Sequence, residues 1–205
     1  MNHKTKLYLV TAFILLQSAF AQAASLNVTV KDAQGQVVND AVVFLESTAA
    51  AALVKPGPLA QIKQRDKIFT PELTVITKGT AVSFPNEDTV RHHVYSFSPV
   101  KQFEIKLYVG TPAEPVVFDQ SGVAVLGCNI HDHMIAWIVA LDTPYYAITD
   151  ENGRATLKDV PTAEYQLRIW HKDLIDETHI VKLPLILTEN MAEQQITLMQ
   201  LAPMF

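Results

Sequence analysis

From Leu26 onward the chain is written in short apolar or alternating runs. Leu26–Val30, Ala41–Leu45, Leu73–Ile76, Ala81–Phe84, Val94–Phe97, Ile105–Val109, Pro115–Phe118, Val123–Leu126, Ile135–Leu141 and Tyr165–Trp170 each have the length and β-branched or aromatic content of a strand. Turn formers separate them: Asp32-Ala33-Gln34-Gly35, Lys78-Gly79, Asp119-Gln120-Ser121-Gly122 and Asp150-Glu151-Asn152-Gly153. This spacing predicts an all-β protein built of sandwiches. Residues 49–64 break the pattern with Ala49–Ala52 and Pro56-Gly57-Pro58, and read as a linker or a short helix.

The first residues follow a different rule. Lys4 and Lys6 precede the apolar run Leu7–Leu16, and small residues then give Ala-x-Ala patterns at Ala19/Ala21 and Ala21/Ala23. Residues 1–23 are therefore expected to be a secretory signal peptide, cut after Ala21 or Ala23. The apolar run is too short for a stable membrane span, and no second long hydrophobic segment follows, so no stable membrane insertion is expected after cleavage. The expected compartment is extracytoplasmic, the periplasm.

Composition narrows the partners. The 205 residues are 49% hydrophobic and 18% charged, which favours folded cores over disorder. Net charge is -5 with no basic stretch, so nucleic acid is not an expected partner. The single cysteine, Cys128, cannot form an internal disulfide. A lone thiol exported to an oxidising compartment is a liability unless it is buried or used. Taken alone, Cys128 reads as a small buried hydrophobe and Met134 as core filler.

Two clusters change that. Gly127-Cys128-Asn129-Ile130-His131-Asp132-His133-Met134 lies between two strand-like runs and presents a thiol, an imidazole and a thioether at i, i+3 and i+6. Soft sulfur donors with imidazole select copper over hard cations, and two His, one Cys in a plane and a weak axial Met make an electron-transfer copper site. One histidine must then come from elsewhere. Phe84-Pro85-Asn86-Glu87-Asp88-Thr89-Val90-Arg91-His92-His93-Val94 offers two. Adjacent strand residues point to opposite faces, so one pocket rarely takes both.

These phrases resemble a known family. Cys-x-x-His-x-x-Met is similar to the ligand loop of the cupredoxins, with the short spacing of amicyanin. Asn86, Asp88, His92 and Val94 match the plastocyanin and amicyanin pattern Asn-x-Asp-x-x-x-His-x-Val. His-His-Val-Tyr-Ser and Gly-Cys-Asn-Ile-His-Asp also resemble cupredoxin-type proteins labelled as methylamine-utilisation proteins. The resemblance covers about Phe69 to Leu141. It implies a cupredoxin Greek-key β-sandwich holding one mononuclear copper through His92, Cys128, His131 and Met134. His93 stands where many cupredoxins have Asn, a position that steadies the cysteine loop, and it stays open as an alternative ligand.

A second resemblance lies at the ends. Leu26–Glu46 and Thr149–His171 are similar to consecutive pieces of a carboxypeptidase-regulatory-like, transthyretin-type sandwich, here separated by about a hundred residues. The expected organisation is a split sandwich over 24–48 and 147–205, a linker over 49–64, and a cupredoxin domain over 65–146 inserted at a surface loop. The rival arrangement is a single cupredoxin with extra edge strands.

The competing chemistries lack parts. Zinc rarely takes methionine, and no second cysteine gives zinc-knuckle spacing. No Gly-x-Ser-x-Gly, P-loop or Gly-x-Gly-x-x-Gly is present, so no enzyme is expected. A thiol nucleophile would not need Met134. His133 and Asp132 read as outward loop residues, Trp137 and Trp170 as core, and His171 and His179 carry no pattern. The expected function is single-electron transfer with an unidentified redox protein. In such proteins the loop histidine is the electron port, which implies His131, with Ile130 and Ile135 beside it. A copper carrier or storage module with the same ligands is the alternative, and a scaffold with a degenerate site is a third class.

Overall fold

The computed structural model describes residues 23–174, 180–191, 193–198 and 201. The expected targeting segment up to residue 22, and His179, lie outside the described residues. The chain is all-β: seventeen strands and one four-residue helix among the described residues.

Strands from the two ends of the chain pair with one another. β1 (Ala23–Asp32) alternates exposed and buried positions, with Leu26, Val28 and Val30 turned inward. It lies between β14 (Arg154–Pro161), antiparallel, and β17 (Gln194–Leu198), parallel. The opposing sheet has the order β13 (Tyr146–Ile148), β2 (Val42–Glu46), β15 (Glu164–Trp170) and β16 (Val181–Ile186). One core fills the gap, including Leu26, Val43, Leu45, Leu157, Leu167 and Ile169. Full burial of each such side chain contributes about 1.5–3 kcal/mol before entropy is counted. Thr149 ties the ends together, donating to the Val38 carbonyl at 2.8 Å and accepting from the Ala41 amide at 2.8 Å. Gly153 closes the Asp150 turn with φ +69, and a Cβ there would stand 2.6 Å from the Val30 oxygen.

The middle of the chain builds a second sandwich. Ser47 caps α1 (Thr48–Ala51) by accepting from the Ala50 amide. The chain then enters β3 (Ala60–Gln61), β4 (Lys63–Arg65), β5 (Ile68–Thr70), β6 (Leu73–Thr77) and β7 (Ala81–Ser83). β8 (His92–Ser96), β9 (Phe103–Tyr108), β10 (Val116–Val117), β11 (Gly122–Gly127) and β12 (Ile135–Leu141) complete it. A five-stranded sheet runs β6-β12-β11-β8-β9 and faces a three-stranded sheet β10-β7-β3, while β4 and β5 form a separate hairpin. Phe84, Phe118, Leu126 and Ile138 fill this core. Residues 60–64, read from sequence as linker, are structural: β3 pairs with β7 and Ile62 is fully buried. The Pro-Gly-Pro segment marks only the approach to this sheet.

The two sandwiches meet on a third apolar cluster. β2 turns Val43 and Leu45 into its own core but Val42 and Phe44 outward, against Val139 and Leu141 of β12 and against Trp170. Strands buried on both faces lose the polar half of the alternation, which is why β2 and the end of β12 read as continuous apolar runs.

Candidate metal centre

Cys128 follows β11 directly, and Ile135 opens β12, so the loop 128–134 is pinned between two paired strands. A hydrogen bond from the Met134 amide to the His131 carbonyl, 2.9 Å, tightens it. His92 opens β8, the neighbour of β11 in the same sheet. Strand register therefore brings a residue 36 positions upstream to the loop.

The result is one compact donor set. His92 Nδ1 lies 4.0 Å and His131 Nδ1 3.8 Å from Cys128 Sγ. The two imidazole rings stand with centroids 4.9 Å apart, tilted by 58°. All three donor atoms lie within 4.8 Å of one another, the one such group of metal-ligating side chains among the described residues. His92 is fully buried, Cys128 is 4% exposed, and His131 is half-buried. Met134, 1% exposed, packs in the same core cluster as Cys128, and both line a cavity of about 460 Å³ with Tyr95, Phe97, Gly127 and Ile135.

The donor set fits a thiophilic transition-metal ion. Metal–sulfur and metal–nitrogen bonds of about 2.3 and 2.0 Å at trigonal angles separate sulfur from nitrogen by about 3.7 Å. The observed 3.8 and 4.0 Å separations lie close to this.

Surrounding groups hold each donor. Asp88 Oδ2 stands 2.7 Å from His92 Nε2. Burial pushes the Asp88 carboxyl up, but hydrogen bonds from the Lys67 amide, the His92 ring and the Asp66 amide outweigh it and hold the carboxyl below its usual range. It is therefore ionised at neutral pH and, as a carboxylate, can only accept a hydrogen bond from His92 Nε2. Burial lowers the His131 pKa, and the electrostatic influence of His92, Lys67 and His133 adds to this against the opposing Asp88. A neutral His131 presents a free lone pair. Burial raises Tyr108 to about 12, with a Gln64 hydrogen bond opposing and Cys128 charge adding. Tyr108 thus stays protonated and donates to the Phe84 carbonyl at 2.6 Å.

His93 is engaged elsewhere. Asn129 Nδ2 donates to its Nδ1 at 2.7 Å, and its Nε2 is 3.0 Å from Glu104 Oε1, off the hydrogen-bonding axis. The ring thus ties β8 to the residue after the cysteine. His133 is exposed, its ring 6.0 Å from that of His131. Ile130, Ile135 and Phe97 are exposed, Phe97 at 76%, so an apolar surface adjoins the loop. Sequence reasoning gave Asp88 only a place in a pattern and put Gln64 in a linker. Nothing in the local sequence signals that Gln64 is buried and donates to the Tyr108 hydroxyl at 2.7 Å.

No helix among the described residues is long and apolar enough to cross a membrane. No protein-family model and no curated protein matches the chain. Among solved structures it is similar to a purple cupredoxin from Nitrosopumilus maritimus, at 21% identity over 40% of this chain and 99% of that one, TM-score 0.37. It is similar to a reduced Cu(I) form of an amicyanin variant, at 18% identity over 48% of this chain and 98% of that one, TM-score 0.38. It is also similar to a copper-containing nitrite reductase from Thermus scotoductus SA-01, at 23% identity over 43% of this chain but 23% of that one, TM-score 0.38. Each of these likenesses is at low identity and covers less than half of this chain.

Proposed function

We propose that the chain is an exported mononuclear copper protein that carries single electrons. In this reading His92, Cys128 and His131 would hold the copper, with Met134 as a further, weaker sulfur donor. The supporting observation is the convergence of one sulfur and two imidazole nitrogens at coordinating separations, from the start of β8 and from a loop 36 residues further on. Copper supplies a one-electron couple between Cu(I) and Cu(II). The chain's part is to hold the donors so that neither oxidation state demands rearrangement. The paired ends of β11, β12 and β8 restrain the backbone, and Cys128 and Met134 are themselves buried.

In this reading His131 is the route for electrons, because it is the least buried of the three donors. Ile130 and Ile135 near it, with the exposed Phe97 that lines the adjoining cavity, offer an apolar contact for a redox protein. Such an encounter is small and releases fast. The strands of 23–46 and 146–198 form the carrier sandwich, the inserted sandwich bears the site, and the segment 1–23 directs export to the periplasm. No catalytic group is assigned.

The test is spectroscopy with electrochemistry on the copper-loaded protein. Intense visible absorption of the Cu(II) form with reversible reduction is the expected result. Colourless protein that binds Cu(I) alone would make it a copper carrier instead. Absence of any copper binding would leave the scaffold reading.

A further inference from the structure

The β4–β5 hairpin belongs to neither sandwich sheet, yet it is tied closely to the segment that precedes His92. Gln64 donates its amide to the Pro85 carbonyl at 2.8 Å, and its carbonyl accepts from the Glu87 amide at 2.8 Å. Its side chain is fully buried, reaching the Phe84 carbonyl at 3.2 Å and the Tyr108 hydroxyl at 2.7 Å. Phe69 of β5 is buried in the core of the inserted sandwich. Lys63 pairs with Glu87 at 2.7 Å, and Arg65 Nε donates to it at 2.9 Å.

The turn of this hairpin is Asp66-Lys67, with φ of 55° and 59°. Two successive left-handed residues give the mirror-image turn that matches strand twist, a position where Asn-Gly or Gly-Gly is usual. Neither residue here is glycine. Amides at the tip of such a turn normally face water. Here the Asp66 amide donates to Asp88 Oδ1 at 2.7 Å and the Lys67 amide to Asp88 Oδ2 at 3.0 Å. The same Oδ2 lies 2.7 Å from His92 Nε2. Asn86 completes the arrangement: its Oδ1 accepts from the Asp88 amide at 3.0 Å, and its Nδ2 donates to the Val90 and Tyr108 carbonyls.

Resting on the copper reading above, we propose that this hairpin and Asp88 form a clasp that presets His92 before any metal arrives. The two turn amides fix both carboxylate oxygens. The carboxylate then fixes the proton on Nε2 and the rotation of the ring. Nδ1 is left with a lone pair 4.0 Å from the thiol sulfur. Asp88 is thus a positioning residue, and Asp66 and Lys67 act through their backbone, not their side chains. A substitution of either turn side chain that tolerates the left-handed backbone, such as glycine, leaves the clasp intact. Lengthening the turn breaks it.

The experiment reads the neutral tautomer of His92 by long-range proton–nitrogen NMR of the metal-free protein, alongside Cu(I) affinity by competition with a chromophoric chelator. The proteins are the wild type, Asp88→Ala, Asp88→Glu, and a chain with two glycines inserted between Asp66 and Lys67. Wild type is expected to show His92 protonated at Nε2 alone. Asp88→Ala and the insertion are expected to populate both tautomers and to weaken Cu(I) binding about 10- to 100-fold. Asp88→Glu is expected to recover the single tautomer in part. Hairpin tips tolerate insertions, so the insertion reads the clasp even if Asp88→Ala fails to fold. A single Nε2–H tautomer in both disrupted chains would overturn the clasp. Wild type that binds no copper yet shows the tautomer shift on disruption would overturn the copper reading and leave the clasp standing.

Discussion

Cys128 Sγ and His92 Nδ1 lie 4.0 Å apart although 36 residues separate them in the chain. Both residues are buried. The relationship is set by the pairing of β11 with β8, whose one registered pair, Gly127 with Tyr95, sits next to the thiol. A buried thiol facing two imidazole nitrogens is a poor design for packing alone, because apolar residues of similar volume would fill the space at no desolvation cost. It is an apt design for binding an ion.

The first expectation concerns the sulfur. Cys128→Ser removes the soft anionic donor but almost no volume. The visible absorption of the copper-loaded protein should vanish while far-UV circular dichroism is unchanged. Titration of wild type and variant with copper, followed by optical spectra, checks this.

Met134→Leu should retain copper and raise the reduction potential, because a weak donor is lost. The swap roughly conserves volume in a buried site, so the stability change should stay under about 1.5 kcal/mol. Protein-film voltammetry and urea unfolding measure the two quantities. An unchanged potential would remove Met134 from the donor set.

The neighbouring histidines should behave differently. His92→Gly opens the donor set, and the colour should be lost or strongly altered. His93→Gly removes the contact with Asn129 but no donor, so the spectrum should be largely retained. Exchanged outcomes in the visible spectra of the pair would reassign the ligand.

A pH effect is expected far from the site. His171 is buried; its Nε2–H donates to the Asn39 carbonyl at 3.1 Å and its Nδ1 accepts from the Asp173 amide at 3.2 Å. Burial outweighs the opposing Asp173, Asn39 and Asp40 contributions and lowers its pKa below 6.5. The unfolded chain therefore takes up a proton first as pH falls. The stabilisation is complete above about pH 6.5 and is lost as pH drops toward the folded value. Urea midpoints measured from pH 8 to 5 should fall more steeply for wild type than for His171→Gln. Parallel curves would contradict this.

The legible part of the site was the part carried by one loop. Cys128, His131 and Met134 show their spacing directly, since a short loop between strands has few conformations. His92 was legible only through a pattern, because nothing local says which strand lies beside β11. The Asp88 clasp was not legible at all. Its turn is Asp-Lys, without the glycine that usually marks a two-residue hairpin, and its contacts span 22 residues. The all-β class followed from alternation along β1 and the recurring turn residues. The joint between sandwiches left a trace in the unbroken apolar runs of β2 and β12, but burial on both faces does not say what covers each face. β3 was missed because two residues are too few to show a period.

X-ray absorption at the copper edge of the loaded, full-length protein tests the central claim most directly. One short copper–sulfur distance with two copper–nitrogen distances, the sulfur contribution absent from Cys128→Ser, is the predicted result. A copper shell made only of nitrogen and oxygen, the same in wild type and Cys128→Ser, would contradict it.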